Sequence, residues 1–340
     1  MARPRSTGMT VYSLARAAGV SPATVSKVFN NHPDVSDEAR ARVQQLAGDF
    51  RPQAIDRRVA NVCALIQQEP GHDLDLGPWL AEALEGVADY TREEGLEFSL
   101  HARDASELGR GTLARELRRR RVDAAVVFRA NTDSRWLAAL RRQKFPFACV
   151  LADDGAHTDH LITVSNHEVG AIAARHLIEL KHREAIVLVT ARGSTAGEER
   201  FAGFAAAWGT RRLHRIDPSS SEDSLAIGAR DLPAACRAHP RATAAFCMDL
   251  SVAIGALHGL REAGIAVPSD CSLIACDDAP IAGYLEPGLT TVAIPNRRLG
   301  WLAARRAHRL LRHVTDESET LAPTLVVRHT TGAPRSPAKA

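Results

Sequence analysis

Residues 11–30 read VYSLARAAGVSPATVSKVFN, and this stretch decides the fold of the amino-terminal region. A short apolar helix pattern ends at Gly19, a residue that turns the chain through a left-handed conformation at no steric cost. Ser21 is an N-cap residue for a second helix, and Pro22 suits its first position, where no amide donor is lost. Small Ala15, Gly19 four residues later and apolar Val25 six residues after that give the spacing of a helix-turn-helix.

A third helix is predicted directly after this pair. Ser36 is its expected N-cap, and the acidic Asp37 and Glu38 occupy the first turn, where the helix dipole favours them. Its buried stripe is predicted, at helical spacing, to consist of Ala39, Val43, Leu46 and Ala47.

The second helix of such a unit enters the major groove of DNA by its amino-terminal half. Lys27 can reach guanine O6 or N7, and Ala23 presents a methyl group that suits thymine. Thr24 and Ser26 offer hydroxyls to phosphate oxygens. The alternative is a helical hairpin in some other kind of small domain.

Composition and charge agree with a nucleic-acid-binding head on a larger body. The chain has 340 residues, about two domains' worth, with 45% hydrophobic and 24% charged residues. This profile excludes fibrous, disordered, disulfide-scaffold and membrane classes. Six scattered cysteines, none in a C-x-x-C pair, indicate reduced thiols of a cytosolic protein. The net charge is +3, but residues 1–60 carry nine basic and five acidic side chains, which suggests that the head meets a polyanion.

From residue 61 onward, short apolar runs alternate with helical stretches. Examples are 62–66, 124–128 and 273–276 for the strands and 169–180 for the helices. This alternation predicts parallel sheets covered on both faces, and the polar break around residues 157–160 favours two sheets over one. Ligands of such sheets bind at the carboxyl ends of the strands, so two facing edges would form a cleft.

Enzyme motifs are weak or missing. The fragment Gly109–Ala114, GRGTLA, matches a dinucleotide fingerprint but is separated from the preceding strand by polar residues. The patterns G-x-x-x-x-G-K-[ST], G-x-S-x-G and H-E-x-x-H do not occur. His157, Asp159 and His160 are interpreted as a polar loop, since no Cys or third His lies at ligand spacing. We predict no catalytic residue, no metal and no cofactor.

The chain resembles the LacI/GalR family of bacterial transcription repressors. The resemblance rests on the run Val20–Asn30, continues through Val35–Ser36 and Phe50–Pro52, and extends into the body. The marks in the body are Val164–Gly170, Arg200–Gly203, Arg261–Pro268, Asp277–Asp278, Leu289–Val292 and Leu325–Arg328. It implies a periplasmic-binding-protein-like core of two subdomains joined by three crossovers, homodimerisation and a small effector in the cleft.

The resemblance also implies a hinge after Pro52 that becomes helical on DNA and inserts a lever residue into the minor groove. Here the lever position is Val59, shorter than the family's Leu, and Gln53 and Asp56 replace the usual Asn and Ala. A shorter wedge unstacks the central base step less well. The predicted DNA contacts are Thr10, Tyr12, Ser21, Pro22, Ala23, Thr24, Ser26, Lys27, Asn30, Gln53, Arg57 and Val59.

Candidate effector contacts lie where strands of the body end. Asp249 and Asp277 each follow a strand, and Arg200 stands where an Arg of the family contacts the effector. The complete predicted set is Trp79, Phe128, Arg129, Arg200, Asp249 and Asp277. For each Asp the alternative is a helix cap or a turn residue. Met248, Leu151 and Ser165 replace polar family residues, which predicts either an effector less hydroxylated than a common hexose or a decayed ligand site.

The fold class is therefore an N-terminal all-α helix-turn-helix head with an α/β periplasmic-binding-protein-like core of two parallel-sheet subdomains. The head spans 1–50, the hinge 51–60 and the core 61–330, with a disordered tail at 331–340. Within the core, the N-subdomain is predicted to comprise 61–160 and 295–322, and the C-subdomain 161–292 and 323–330.

The predicted function is that of a homodimeric repressor, cytoplasmic and associated with the bacterial nucleoid. It would bind a pseudo-palindromic double-stranded DNA operator and a carbohydrate-like effector, without a membrane partner. Two alternatives stay open: a ligand-independent DNA-binding regulator with a vestigial core, and a periplasmic-type sugar-binding protein. The second of these leaves the head unexplained.

Overall fold

The computed structural model describes residues 11–29, 34–48, 59–68, 76–108, 111–128, 135–151, 161–189, 195–218, 223–314 and 318–335. The chain divides into two compact units, Met1–Val59 and Ala60–Ala340. Each unit is described by itself below.

The first unit contains three helices, α1 Val11–Ala18, α2 Pro22–Phe29 and α3 Asp37–Ala47. They surround a small apolar core composed of Leu14, Ala15, Ala18, Val25, Val28, Val35, Val43 and Ala47. The predicted stripe of α3 is wrong at one position, because Leu46 is 40% exposed. Three short helices enclose too little volume to bury every apolar residue at helical spacing.

The second unit alternates strands and helices along most of its length. In chain order its elements are β1 Asn61–Gln68, α4 Gly77–Glu93, β2 Glu97–Asp104, α5 Ala105–Leu108, α6 Leu113–Arg119, β3 Ala124–Phe128, α7 Arg135–Arg142, β4 Phe147–Val150, β5 Leu161–Val164, α8 Asn166–Glu179, β6 Glu184–Leu188, α9 Thr195–Trp208, β7 Arg212–Ile216, α10 Ser224–Ala238, β8 Ala244–Cys247, α11 Leu250–Glu262, β9 Ser272–Cys276, α12 Ile281–Tyr284, β10 Thr290–Ala293, α13 Asn296–Leu311, β11 Glu319–Leu321 and β12 Thr324–Val326.

These strands form two six-stranded sheets, as the alternating pattern predicts. The N-subdomain sheet has the order β11-β5-β4-β3-β1-β2, with parallel pairing throughout. The C-subdomain sheet has the order β12-β10-β9-β8-β6-β7, and its edge strand β12 runs antiparallel to β10. The central strands are apolar on both faces because helices cover both sides of each sheet.

The chain passes between the two sheets three times: after β5, after β10 and between β11 and β12. The predicted subdomain boundary at residue 161 needs correction. Strand β5 pairs with β4 through Cys149↔Leu161 and therefore belongs to the N-subdomain, so the crossover begins only after Val164. A four-residue strand that is buried on one face only carries too weak a pattern to be assigned from sequence.

The predicted disordered tail is also wrong for residues 331–335, which are ordered against the C-subdomain. Thr331 Oγ1 lies 2.9 Å from His176 Nε2, and Gly332 N donates to Ser272 Oγ at 3.0 Å. These bonds attach the segment to α8 and to the amino end of β9. Residues 336–340 lie outside the described part of the chain.

Glycines set the distance between paired helices in both subdomains. Gly170 on α8 meets the backbone carbonyl of Arg200 on α9, and Gly203 on α9 meets that of His167 on α8. Gly300 on α13 packs in the same way against Ala83 on α4. Any Cβ at these positions would overlap main-chain atoms of the partner helix. The helices therefore approach until their backbones touch, which fixes the side chains at their amino ends relative to one another.

Candidate nucleic-acid interface and ligand cleft

The turn between α1 and α2 has the geometry that the sequence predicts. Gly19 adopts a φ of +66°, and Val20 N donates to Ala15 O at 3.0 Å. Ser21 Oγ accepts a hydrogen bond from Thr24 N at 3.0 Å and so caps α2. Val25 is fully buried, so α2 is held by its inner edge and its opposite face is left to solvent.

The exposed face of α2 carries residues that the sequence analysis predicts to contact DNA bases or phosphates. Pro22, Ala23, Ser26 and Lys27 are exposed, and Thr24 is half-buried. Lys27 Nζ lies 3.9 Å from a carboxylate oxygen of Asp34, an exposed and therefore weak ion pair that DNA phosphates can displace.

The hydroxyl of Ser21 already accepts the capping hydrogen bond of α2, and the same Oγ lies 2.9 Å from Thr24 Oγ1. Its role as a phosphate contact stays a prediction. Other predicted DNA contacts lie partly or wholly outside the described residues. The residues that lie wholly outside the described part of the chain are Thr10, Asn30, Gln53 and Arg57. The side chain of Tyr12 lies outside it as well. Val59 is described and is 43% exposed.

In the core, Arg200 on α9 reaches the chain segments that follow β5 and β8. Its Nε donates to Asn166 Oδ1 at 3.0 Å, and its Nη1 donates to the carbonyl oxygen of Met248 at 2.8 Å. Arg200 is buried, with 8% of its surface exposed. Burial lowers the pKa of this guanidinium, but Cys276, Asp277 and other acidic groups raise it by more, so the side chain is charged.

Asp277 follows β9 and occupies a left-handed backbone conformation, with a φ of +69°. Its carboxylate accepts a bond from Asn296 Nδ2 at 3.3 Å, and the same amide group lies 3.3 Å from Glu82 Oε2. Burial raises the pKa of Asp277 to about 6, although the charge of Arg200 opposes the shift. The pKa of Glu82 is also raised, first by burial.

A polar cluster therefore connects the subdomains, and all of its members are buried except the half-buried Glu82. We name Glu82, Asn166, Arg200, Asp277 and Asn296 the crossover cluster. Glu82 on α4 and Asn296 on α13 come from the N-subdomain, while Arg200 and Asp277 come from the C-subdomain. Asn296 Oδ1 is buried without a hydrogen-bond partner among the described residues. A change in the angle between the subdomains must change the distances in this cluster.

The other predicted effector residues are placed differently. Asp249 caps α11, accepting bonds from Ser251 N at 2.8 Å and Val252 N at 3.1 Å, which is the alternative that the sequence left open. Trp79 is half-buried in the first turn of α4. Phe128 lies in the apolar core with no exposed surface, rather than on an open wall, because β3 is a central strand covered on both faces. Arg129 lies outside the described residues.

Sequence reasoning missed Glu82, Asn166 and Asn296. A repeat could have indicated the two asparagines, since Asn166 precedes Gly170 and Asn296 precedes Gly300 by the same four residues. Each Asn opens the helix whose glycine packs on a partner helix. Ser165, which stands where the family carries an acid, serves as the N-cap of α8, with its Oγ accepting from Glu168 N at 3.3 Å.

Within the ranges that the structure describes, no helix has the length and apolar character needed to cross a membrane. In the same ranges, no three His, Cys, Asp or Glu side chains are grouped as metal ligands.

Two family profiles match the chain. Residues 10–49 match the profile of bacterial regulatory proteins, lacI family, and residues 174–331 match a periplasmic binding protein-like domain. The HTH-type transcriptional regulator DegA of Bacillus subtilis is 28% identical over 338 residues, covering 95% of this chain and 98% of DegA.

Solved structures resemble the fold. A LacI family transcriptional regulator from Enterococcus faecalis with bound ribose is 26% identical, with a TM-score of 0.68 over 81% of this chain and 100% of that one. The lac repressor dimer bound to operator and an anti-inducer has a TM-score of 0.68 over 96% of this chain and 100% of its own, at 20% identity. With the capped recognition helix and the two-sheet core, these matches show that the chain belongs to the LacI family of bacterial regulatory proteins and is a DNA-binding transcriptional regulator.

Proposed function

We propose that this protein is a homodimeric transcriptional repressor whose two heads bind a pseudo-palindromic operator. A small effector in the cleft between the subdomains would change its affinity for DNA. The observation that carries the proposal is the exposed face of α2. It is capped by Ser21, held by buried Val25 and Val28, and presents Pro22–Lys27 without an acidic side chain.

The chemistry of this face supports sequence-specific binding. Lys27 supplies a point charge with three donors for guanine O6 and N7 or for phosphate, while Pro22 and Ala23 allow close approach to base edges. Each helix reads only a few base pairs, and two-fold repetition supplies the specificity that one helix lacks. The lac repressor, whose solved structure resembles this fold, likewise binds its operator as a dimer.

Exposed apolar side chains support dimerisation. Phe98 and Leu100 lie on β2, the edge strand of the N-subdomain sheet, and Ile281 and Tyr284 lie on α12 of the C-subdomain. Tyr284 is 86% exposed. Large exposed apolar groups on an edge strand and on a short helix are costly in a monomer and are suited to contact a second copy of the chain.

The crossover cluster supports effector control. A ligand shifts an equilibrium only by its differential affinity for the two states. A ligand would meet this requirement if it formed a hydrogen bond with Arg200 or Asp277 in one relative orientation of the subdomains and not in the other. The relatives named above include a regulator with bound ribose, so a carbohydrate-like effector is the first class to test. The apolar replacements Leu151 and Met248 favour an effector with fewer hydroxyls than a hexose.

Selection of bound sequences from random duplex DNA, with the full-length protein, tests the proposal. We expect a palindrome of two short half-sites around a fixed centre. A single unpaired half-site would contradict the dimeric geometry, and the absence of any enriched sequence would contradict operator binding without a co-ligand. A thermal-shift panel of sugars, nucleobases and polyols then tests the effector class, and strong stabilisation by a simple hexose would exclude the less hydroxylated one.

Replacing Lys27 with Ala is expected to weaken operator binding by about 1–3 kcal/mol and to relax base preference at one position of each half-site. The reason is the loss of a charged donor at the centre of the exposed face of α2. Fluorescence anisotropy on the selected operator and on its single-base variants measures both effects. Arg237→Ala, which removes an exposed cation of the C-subdomain, is the control and should bind normally. Equal weakening on every DNA sequence would instead make Lys27 a phosphate contact.

Replacing Tyr284 with Asp is expected to convert the dimer to monomer at micromolar concentration, because the substitution places two charges against each other across a two-fold interface. Sedimentation velocity measures the change, and circular dichroism checks the fold. The matched control is Val327→Asp, another highly exposed apolar position, outside α12. A Tyr284→Asp protein that sediments like the wild type would remove α12 from the proposed interface.

A further inference from the structure

A surface pocket, separate from the cleft between the subdomains, lies at the amino edge of the C-subdomain sheet. This edge is opposite the one that faces the cleft. The pocket has a volume of about 590 Å³. We name it the turn pocket, and its lining residues are Ile178, Lys181, His182, Arg183, Thr210 and Arg211. Three of these are cations, and no carboxylate is among the described residues that line it.

Two neighbouring turns bring the cations together. Lys181 has a φ of +76° in the turn after α8, where His182 N donates to Leu177 O at 3.1 Å. The turn after α9 passes through Gly209, with a φ of +69°. Strands β6 and β7 then begin side by side in the register Glu184↔Arg212, so Arg183 and Arg211 immediately before them are neighbours.

The tight packing of α8 on α9 fixes the two turns relative to each other. Both helices run into the turn pocket, and Gly170 and Gly203 hold their backbones in contact. The back wall is formed by His182, whose Nδ1 lies 2.8 Å from Thr243 Oγ1 and whose Nε2 lies 2.9 Å from the carbonyl oxygen of Gly332. The backbone positions of the three cationic residues are therefore fixed by rigid turns, which lowers the entropic cost of binding an anion between them.

Within the described part of the chain, the charges of Lys181 and Arg183 have no ion-pair or hydrogen-bond partner. Arg211 is held by one bond from Nη1 to Trp208 O at 2.8 Å, which leaves its other donors available. The nearby carboxylate of Glu184 accepts from His214 Nε2 at 2.9 Å. Three like charges around one concave surface create a positive potential that a bound anion relieves.

We propose that the turn pocket binds a small phosphorylated metabolite. Guanidinium groups pair with phosphate through two parallel hydrogen bonds, and an ammonium adds a mobile point charge. The volume exceeds that of one phosphate group and falls within the range of small-molecule sites, so a sugar phosphate or a nucleotide fits it in size. The site is separate from the crossover cluster and does not depend on the function proposed above.

Isothermal titration of the full-length protein with sodium pyrophosphate, at ionic strength held constant with sodium chloride, tests the proposal. We expect saturable binding at one site per chain. The double variant Lys181→Gln/Arg183→Gln should bind at least tenfold more weakly. The matched control Lys27→Gln/Arg40→Gln removes two cations from the head and should leave this binding unchanged.

Three results would overturn the proposal: no saturable binding by the wild type, a loss confined to the head variant, or equal losses in both double variants. The second would place the anion on the DNA-binding head, and the third would indicate general charge attraction. Circular dichroism and operator binding of Lys181→Gln/Arg183→Gln show whether the variant is folded. Substitution at these exposed turn positions is not expected to unfold it.

Discussion

Replacing Gly170 with Ala is expected to lower the free energy of unfolding of the core by about 3 kcal/mol or more, the upper part of the range for overpacking. The added Cβ would overlap the carbonyl oxygen of Arg200, and the neighbouring backbone nitrogen of Phe204 is also within its reach. Main-chain atoms in the middle of α9 cannot move aside as a flexible side chain can. The two helices must therefore separate, and the contact is lost along their length.

Urea unfolding followed by far-ultraviolet circular dichroism measures the loss. Gly283→Ala is the matched control, because its Cβ would meet only a flexible atom of Arg328 at 3.7 Å. The control should change the free energy of unfolding by less than about 0.5 kcal/mol, as surface substitutions do. If Gly170→Ala is as stable as Gly283→Ala, the close approach of α8 and α9 is wrong.

Replacing Arg200 with Ala is expected to destabilise the core by about 3 kcal/mol near pH 8, because a buried Asp277 then loses its cationic neighbour. It also removes the donors to Asn166 Oδ1 and Met248 O. Arg237→Ala removes an exposed cation of the same subdomain and serves as the control. Its free energy of unfolding should stay close to that of the wild type.

The cost of Arg200→Ala should depend on pH with a definite sign. The pKa of Asp277 is raised by burial from 3.8 to about 6 in the folded protein, so its contribution to stability is greatest below pH 3.8 and is lost as pH rises to about 6. Without Arg200 the pKa of Asp277 rises further, and the loss continues to higher pH. Urea unfolding at pH 5 and pH 8 should therefore show a smaller gap between variant and wild type at pH 5. An equal gap at both values would contradict a role for the charge of Asp277.

Helices with strong local patterns were predictable. In α2, the Gly19 turn, the Ser21 cap and buried Val25 follow from residue type and spacing, because the interactions that fix them span only a few residues. The apolar strand β3 was predicted with the bounds that the structure has. Strand β5 was not, since its pairing with β4 depends on residues brought together from separate parts of the chain.

The residues of the candidate site also divide into those that the sequence marked and those that only the structure revealed. The sequence marked Arg200 and Asp277 through their positions after strands and through the family resemblance, and the structure places both in the crossover cluster. It did not mark Glu82, because an acid on a helix has no local feature that distinguishes a solvent-facing position from one beside a crossover. Phe128 shows the opposite case, an aromatic at a strand end that the helix layer covers completely.

By itself, the sequence determined the helix-turn-helix head, the alternating α/β core and the family, because each depends on local spacing or on an ordered string of motifs. Only the tertiary structure decided which polar residues meet between the subdomains and that Lys181, Arg183 and Arg211 converge on one surface. The physical reason is that helix caps and periodicity are set by neighbours along the chain. Clusters across crossovers and between adjacent turns are instead set by strand order and by the closeness of helix packing.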